Sequence, residues 1–360
     1  MKNFKRAALL VEGARDVFHA KTAIALLRYK KESVSYLVDA TKAGQTANDI
    51  FKLGEDLPVV ASIENVVDEI DSLIICLMLP EGKIPATWVE QILIALKNGI
   101  DIINPLHIDF AKLSEIANGV GGEHIESSPQ ITRFNNTSAV VHNIRIPPDD
   151  LELFSYKVLR TKAKRVLTVG SDCNIGKMLT TLELDKFARK QGVNSAFVAT
   201  GQISTLIKGS GIAIDRVISD FMPGATERLI LEEADRDLVL VEGQGSIFQP
   251  IYSGVTMGLL HGTAPNAMVM CHVPTRQHLR YSDIEIPDFK KMIRMHEEIA
   301  SIICPSKVVG ISLNCHDLDD KTAKEVVESY QDISGLPATD PVKFGIENVY
   351  TAMVDYLDIP

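Results

Sequence analysis

The stretch VLTVGSDCNIGK, residues 166–177, decides how this chain folds. An apolar run from Val166 to Val169 stops at Gly170. Gly176-Lys177 follows after five residues, and Met178 to Gln191 has helical character. Strand, glycine-bounded loop, lysine and helix make the layout of a phosphate cradle. Loop amides and the helix N-terminus face an anion, and the lysine adds a mobile positive charge. The candidate ligand-binding residues here are Gly170, Ser171, Asp172, Cys173, Asn174, Ile175, Gly176, Lys177 and Met178.

Two departures from the common signature matter. The usual loop has four residues between its glycines and Ser or Thr after the lysine. Here Ser171 to Ile175 intervene, with an acidic residue, Asp172, two after the first glycine. That longer spacing resembles the loop of dethiobiotin synthetase and its relatives. Met178 stands where a hydroxyl would hold Mg²⁺, and a thioether is a poor ligand for a hard cation that wants oxygen. Thr180 and Thr181 are the nearest hydroxyls, neither in the usual place. The loop reads as a cradle with weakened evidence for Mg-nucleotide hydrolysis, and no protein-ligated metal is expected. Cys173 could act as a nucleophile activated by the helix N-terminus, although a loop cysteine more often packs.

Outward from the loop, the whole chain alternates strand and helix signals. Strands are expected at 165–169, 194–199, 237–241, 267–272 and 307–313, and helices at 177–191, 224–235, 287–302, 320–331 and 344–357. The first half repeats the rhythm. Strands are expected at Ala7 to Val11, Val34 to Val38, Pro58 to Ala61, Leu73 to Met78 and Ile100 to Asn104. Helices are expected at Lys21 to Lys30, Ile63 to Ile70 and Pro85 to Lys97. Such alternation predicts parallel sheets with helices on both faces. Arg145-Ile146-Pro147-Pro148-Asp149-Asp150 reads as a junction, because consecutive prolines oppose helix. The expected architecture is α/β: a Rossmann-like parallel-sheet domain over 1–147 and a P-loop NTPase-like, dethiobiotin-synthetase-type domain over 148–360. Asp39 closes the second strand as in a dinucleotide fold, yet Glu12-Gly13-Ala14-Arg15 is no glycine fingerprint. The first domain is therefore expected to shape a cleft or a contact between copies, which leaves room for a homo-oligomer.

Composition narrows the function classes. A net charge of −10 opposes non-specific nucleic-acid binding, which needs a basic face. No apolar run is long enough to cross a bilayer. The N-terminal apolar stretch is short and is followed by Glu12, Arg15 and Asp16, so it reads as a strand and not a signal peptide. Five scattered cysteines, without zinc-like spacing, fit reduced thiols and a cytoplasmic setting.

In parallel sheets, ligands sit beyond the carboxyl ends of the strands. Glu242-Gly243-Gln244-Gly245-Ser246 closes one strand, and a carboxylate facing Lys177 suits a general base or a metal ligand. Another strand ends at Thr200-Gly201-Gln202. Asp220 is a candidate second acid and Arg228 a candidate carboxylate partner, unless the two only serve a helix entry. His261, at the end of a short helix, is placed to act as a base or as a donor to an oxyanion. Arg276 and Arg280 are candidate carboxylate clamps, and Asn314 is placed to read a purine edge.

Together these motifs resemble one family over nearly the whole chain, the D-glutamate N-acetyltransferases, a family long without an assigned function. The matching segments are GSDCNIGK (170–177), ATGQ (199–202), ISDFMPGATERLI (218–230), VEGQGS (241–246), YSGVTMGLLHGTAPNAMVMCH (252–272) and SLN (312–314). LLVEG (9–13), LLRY (26–29), NPLH (104–107) and RIPP (145–148) match more loosely. Asn266 stands where an aspartate is expected. The resemblance implies acetyl transfer from acetyl-CoA to the amine of D-glutamate, with the loop holding coenzyme phosphates. Under it Glu242 or His261 is the base and Asp220 a further acid. Gln202, Arg228, Gln244, Arg276 and Arg280 hold the amino acid, and Asn314 joins the coenzyme site. An ATP/Mg-dependent ligase or kinase like dethiobiotin synthetase is the competing enzyme reading, and a non-catalytic nucleotide- or CoA-binding module the other alternative.

Overall fold

In a computed structural model, residues 4–14, 19–77, 84–107, 114–121, 124–128 and 130–359 are described. The chain divides into two compact units. One is Met1–Asp149 with Gln202–Ala213, and the other is Asp150–Gly201 with Ile214–Pro360.

The first unit carries β1 (Ala7–Leu10), α1 (Lys21–Tyr29), β2 (Val34–Val38), α2 (Ala47–Phe51), β3 (Val59–Val60), β4 (Ser72–Ile75), α3 (Ala86–Lys97), β5 (Asp101–Asn104), α4 (Ser114–Val120), β6 (His124–Ser128), β7 (Ile131–Phe134) and β8 (Val140–Asn143). Its sheet runs β3-β2-β1-β4-β5-β8-β7-β6. The strands from β3 to β8 pair in parallel. All four residues of β1 and of β4 are buried, as a strand covered on both faces requires.

Three local differences from the sequence expectations have physical causes. The expected helix Ile63 to Ile70 is a single 3-10 turn, Ile63–Val66. Only Ile63 and Val66 of the turn are buried, too small an apolar face to hold a longer helix. The strand expected to reach Met78 ends at Ile75, and Met78 lies outside the described residues, as do Arg15 and Asp16. Beyond β5 the sheet adds an antiparallel extension, β6–β7–β8, whose short strands carry no clear period in the sequence. Asp39 at the end of β2 is fully buried. It accepts from the Thr41 amide at 2.9 Å and lies 3.2 Å from the Lys42 ammonium, so it caps a turn.

The second unit carries β9 (Lys164–Gly170), α5 (Lys177–Lys190) and β10 (Ser195–Val198). The chain then leaves for α6 (Gln202–Lys208), which belongs to the first unit and packs on α1. It returns as α7 (Met222–Leu231), β11 (Leu238–Val241), α8 (Ser253–Thr263), β12 (Ala267–His272), α9 (Phe289–Ala300), β13 (Lys307–Leu313), α10 (Asp320–Ser334), β14 (Ala338–Thr339) and α11 (Glu347–Leu357). The sheet is wholly parallel in the order β10-β11-β9-β12-β13-β14. The chain leaves β9 toward β10 on one side and β12 toward β13 on the other. The switch point therefore lies between β9 and β12, where doubly wound sheets open a ligand crevice. Val166, Leu240, Val269, Val349 and Met353 are among the residues that form the core behind it. Among the described residues no helix is long and apolar enough to cross a membrane.

Candidate functional site

The loop between β9 and α5 is shaped by the orientation of its carbonyls. Lys177, almost fully buried, donates to the Asp172 carbonyl at 2.8 Å. The Arg276 guanidinium donates to the Cys173 carbonyl at 2.8 Å and to the Asn174 carbonyl at 3.4 Å. With these carbonyls engaged, and Asn174 and Gly176 both at positive φ (51° and 106°), the backbone makes an alternating turn of the kind that can gather amides into an anion nest. The first intrahelical bond of α5 runs from the Thr180 amide to the Gly176 carbonyl at 2.9 Å. The amides of Lys177 and Met178 precede it and point out of the helix end.

Asp172 is the hub of the loop. Its fully buried carboxylate accepts from the Cys173 amide (2.7 Å), Gln249 Nε2 (3.3 Å), Arg276 Nη1 (2.9 Å) and the Arg280 amide (2.7 Å). A buried charge is tolerable only when so satisfied. Arg276 and Arg280, expected as carboxylate clamps, thus meet the loop differently. The Arg276 guanidinium is engaged with Asp172 and two loop carbonyls. Arg280 contributes its amide, and its guanidinium has no carboxylate partner among the described residues, lying 5.1 Å from the Tyr281 ring centre.

On one side of the loop is the end of β11. The nearly buried Glu242 carboxylate accepts from the Thr200 amide at 3.2 Å, and Gln244 Nε2 donates to the Thr200 hydroxyl at 3.2 Å. Burial pulls the Lys177 pKa below its usual value, while the charges of Asp172 and Glu242, among others, oppose that pull. Gly243 has to be glycine, because a Cβ there would lie 1.7 Å from the Thr168 carbonyl oxygen. Its amide instead donates to the Thr168 hydroxyl at 3.0 Å, which ties β11 to β9.

On the other side is the end of β12. His272 Nδ1 lies 2.8 Å from the Ser171 hydroxyl, and burial, reinforced by the Arg276 charge, lowers the ring's pKa to about 4. The imidazole is neutral near pH 7 and packs at 5.5 Å from Phe289 and 5.4 Å from Tyr330. Sequence reasoning did not single His272 out. Its position at the last residue of the strand beside β9 was the available signal. Asn314 follows β13, and its Cβ would lie 3.9 Å from a Cβ at Gly176.

The remaining candidates are not shown with this cluster. Asp220 is exposed and accepts from its neighbour Ser219 at 3.2 Å. Arg228 bonds Asp150 at 2.8 Å and lines a separate cavity of about 480 Å³ with Glu152, Ser155 and Glu227. Gln202 opens α6, which clusters with the first unit. His261 sits in the last turn of α8. Its Nε2 is buried with no hydrogen-bond partner among the described residues, and burial lowers the ring's pKa. Burial raises the pKa of the Cys173 thiol, which disfavours the thiolate that a nucleophile needs. No group of three or more His, Cys, Asp or Glu able to hold a metal occurs among the described residues. At the Mg²⁺ position, Met178 offers sulfur, the Thr180 hydroxyl is bonded to the Gly176 carbonyl and Ser312, and the Thr181 hydroxyl is bonded to the Lys177 carbonyl and Thr168.

A domain of unknown function (DUF1611_C), described as a P-loop domain, matches residues 152–350, and its N-terminal counterpart (DUF1611_N), described as Rossmann-like, matches 40–126. The chain belongs to the DUF1611 family. Both domain descriptions agree with the α/β architecture expected from the sequence. A Pseudoalteromonas protein named D-glutamate N-acetyltransferase is 34% identical over 270 residues, covering 74% of this chain and 76% of the relative. One of the same name from Tritonibacter scottomollicae is 34% identical over 284 residues, covering 76% and 78%. These names agree with the resemblance drawn from the motifs. A crystal structure of a DUF1611 family protein from Anabaena variabilis is 31% identical, covers 98% of this chain and 99% of its own, and superposes with a TM-score of 0.87.

Proposed function

We propose that this protein is an amino-acid N-acetyltransferase that moves the acetyl group of acetyl-CoA to the amine of D-glutamate, with loop 170–178 holding coenzyme phosphate. The observation that carries the reading is a P-loop with Asn174 and Gly176 at positive φ and no oxygen ligand at position 178, in a chain whose relatives bear that activity in their names. Coenzyme A offers a pyrophosphate and a 3′-phosphate, which the nest and Lys177 hold without hydrolysing anything.

Acetyl transfer makes three demands. The acceptor ammonium has to lose a proton, and Glu242 beside Lys177, or the neutral His261, takes it. The thioester oxygen gains charge, and the backbone amides of Gln244 and Gly245, or His261, are the candidates to stabilise it, since the Gly243 amide is held by the Thr168 hydroxyl. The acceptor carboxylates need cations, and the Arg280 guanidinium is better placed for this than Arg276, whose charge is spent on Asp172. Arg228 is already bonded to Asp150, so it fits this step less well.

The test is thiol release from acetyl-CoA with D-glutamate, L-glutamate and other amino acids, with and without chelator. Release with D-glutamate that resists chelation supports the reading. No release with any acceptor, together with Mg-dependent ADP formation, would replace it with the ligase or kinase alternative.

A further inference from the structure

A cavity of about 370 Å³ opens beyond the end of β12, walled by His272, Phe289 and Tyr330 and rimmed by Gln277 and Glu285. Its volume lies in the range of small-ligand sites. It is built into the phosphate loop through two contacts. His272 Nδ1 meets the Ser171 hydroxyl at 2.8 Å, and Arg276, which also lines the cavity, holds the Cys173 carbonyl at 2.8 Å. It also lies at the strand end flanking the switch point between β9 and β12, where a ligand gripped by the loop would extend.

The lining selects a ligand chemistry. Three rings pack edge-on or tilted, with centres 4.9–5.5 Å apart, and present aromatic surface. The imidazole is neutral near pH 7, and the Arg276 charge is already compensated by Asp172 at 2.9 Å. Among the described residues of the wall, Arg276 is the one arginine or lysine, and its charge is already paired. The Gln277 amide and the Glu285 carboxylate supply polar groups at the rim, suited to hydrogen bonds with an exocyclic amine and ring nitrogens. A flat, uncharged heteroaromatic ring with a polar edge satisfies all of this, and a second phosphate does not.

We propose that this cavity receives the adenine ring of a nucleotide ligand whose phosphates sit on loop 170–178. Resting on the acetyl-transfer reading above, the ligand is coenzyme A. ATP presents the same base, and the test separates the two.

The experiment is calorimetric titration of the full-length protein with coenzyme A, adenosine 3′,5′-bisphosphate, 4′-phosphopantetheine and ATP. Wild type is compared with Tyr330→Ala and with Gln277→Trp, which crowds an exposed rim position without touching the loop. Lost base stacking in Tyr330→Ala, and blockage of the rim by the indole in Gln277→Trp, are expected to weaken coenzyme A and the bisphosphate by about tenfold or more and leave 4′-phosphopantetheine unchanged. Gln277→Trp keeps the outcome decisive if loss of Tyr330 impairs folding. Wild-type binding of coenzyme A that neither variant alters overturns the pocket assignment and leaves acetyl transfer standing. The same pattern of losses for ATP, with no binding of coenzyme A, upholds the pocket and overturns acetyl transfer. A variant effect confined to the KM for the amino acid overturns the adenine assignment in favour of the acceptor.

Discussion

Replacing Arg276 by alanine removes the one side-chain cation that, among the described residues, is bonded to the Asp172 carboxylate, and the size of the effect follows from burial. Asp172 is wholly inaccessible and the Arg276 side chain retains 22% of its exposure. Breaking a buried pair by deleting one partner typically costs 3–5 kcal/mol. Here three neutral donors remain on the carboxylate, the Cys173 and Arg280 amides and Gln249, so about 3 kcal/mol is expected. In a unit of this size that lowers the melting temperature by about 6–12 °C. Loss of the same guanidinium also frees the Cys173 and Asn174 carbonyls, so affinity for coenzyme A falls as well. Arg228→Ala is the control. Its bond to Asp150 is 2.8 Å long, shorter than the Arg276 contact, but both partners are exposed, so the loss is small beside that of Arg276→Ala. The assay is urea unfolding of wild type, Arg276→Ala, Asp172→Asn and the double variant. The two changes are expected to couple by more than about 1 kcal/mol, because groups in one network are not additive. Additivity within about 0.5 kcal/mol, or an Arg228→Ala loss as large as that of Arg276→Ala, would refute the account of the loop.

Lys177→Ala should weaken coenzyme A about ten- to a hundredfold, the scale of one hydrogen bond to a charged group, whereas Glu242→Gln should lower kcat with KM nearly unchanged; titration and steady-state kinetics separate the two. Gly243→Ala should abolish the folded site, since its methyl would overlap the Thr168 carbonyl, while Gly254→Ala on α8, where a Cβ meets nothing within 4 Å, should be neutral or stabilising by up to about 1 kcal/mol; soluble yield and melting temperature read both. Burial, with some help from Arg276 at His272 and Lys177 at His296, holds both rings at a pKa of about 4, so each binds a proton more readily when unfolded. Stability is then full above about pH 6.5 and declines as pH falls toward 4, by up to about 1.4 kcal/mol per pH unit for each ring. His272→Gln should remove about half of that slope in urea unfolding between pH 7 and 5, and an unchanged slope would mean the imidazole is solvated.

Much of the second unit was legible in the sequence because its signals are local. The apolar run, the glycines and the lysine of 166–177 specify strand, turn and helix within one stretch, and β12 and β13 fall where the apolar runs predict. Glu242 at a strand tip followed by glycine was legible for the same reason. The strands of the antiparallel edge in the first unit were not, since HIESS, ITRF and VVHN lack the unbroken apolar run that marks equally short strands such as β1 and β11.

The sequence by itself determined that there is a glycine-bounded cradle of P-loop layout and that Met178 denies it the usual hydroxyl. Only the tertiary structure decided what surrounds the cradle. Ser171 and His272 are 101 positions apart and meet because β12 lies beside β9 in the sheet. The same strand order turns Arg276 onto the loop carbonyls, while α7 carries Arg228 to Asp150 and a separate cavity. Local chemistry writes each strand end into the chain, but which ends become neighbours depends on sheet order, and long-range packing sets that.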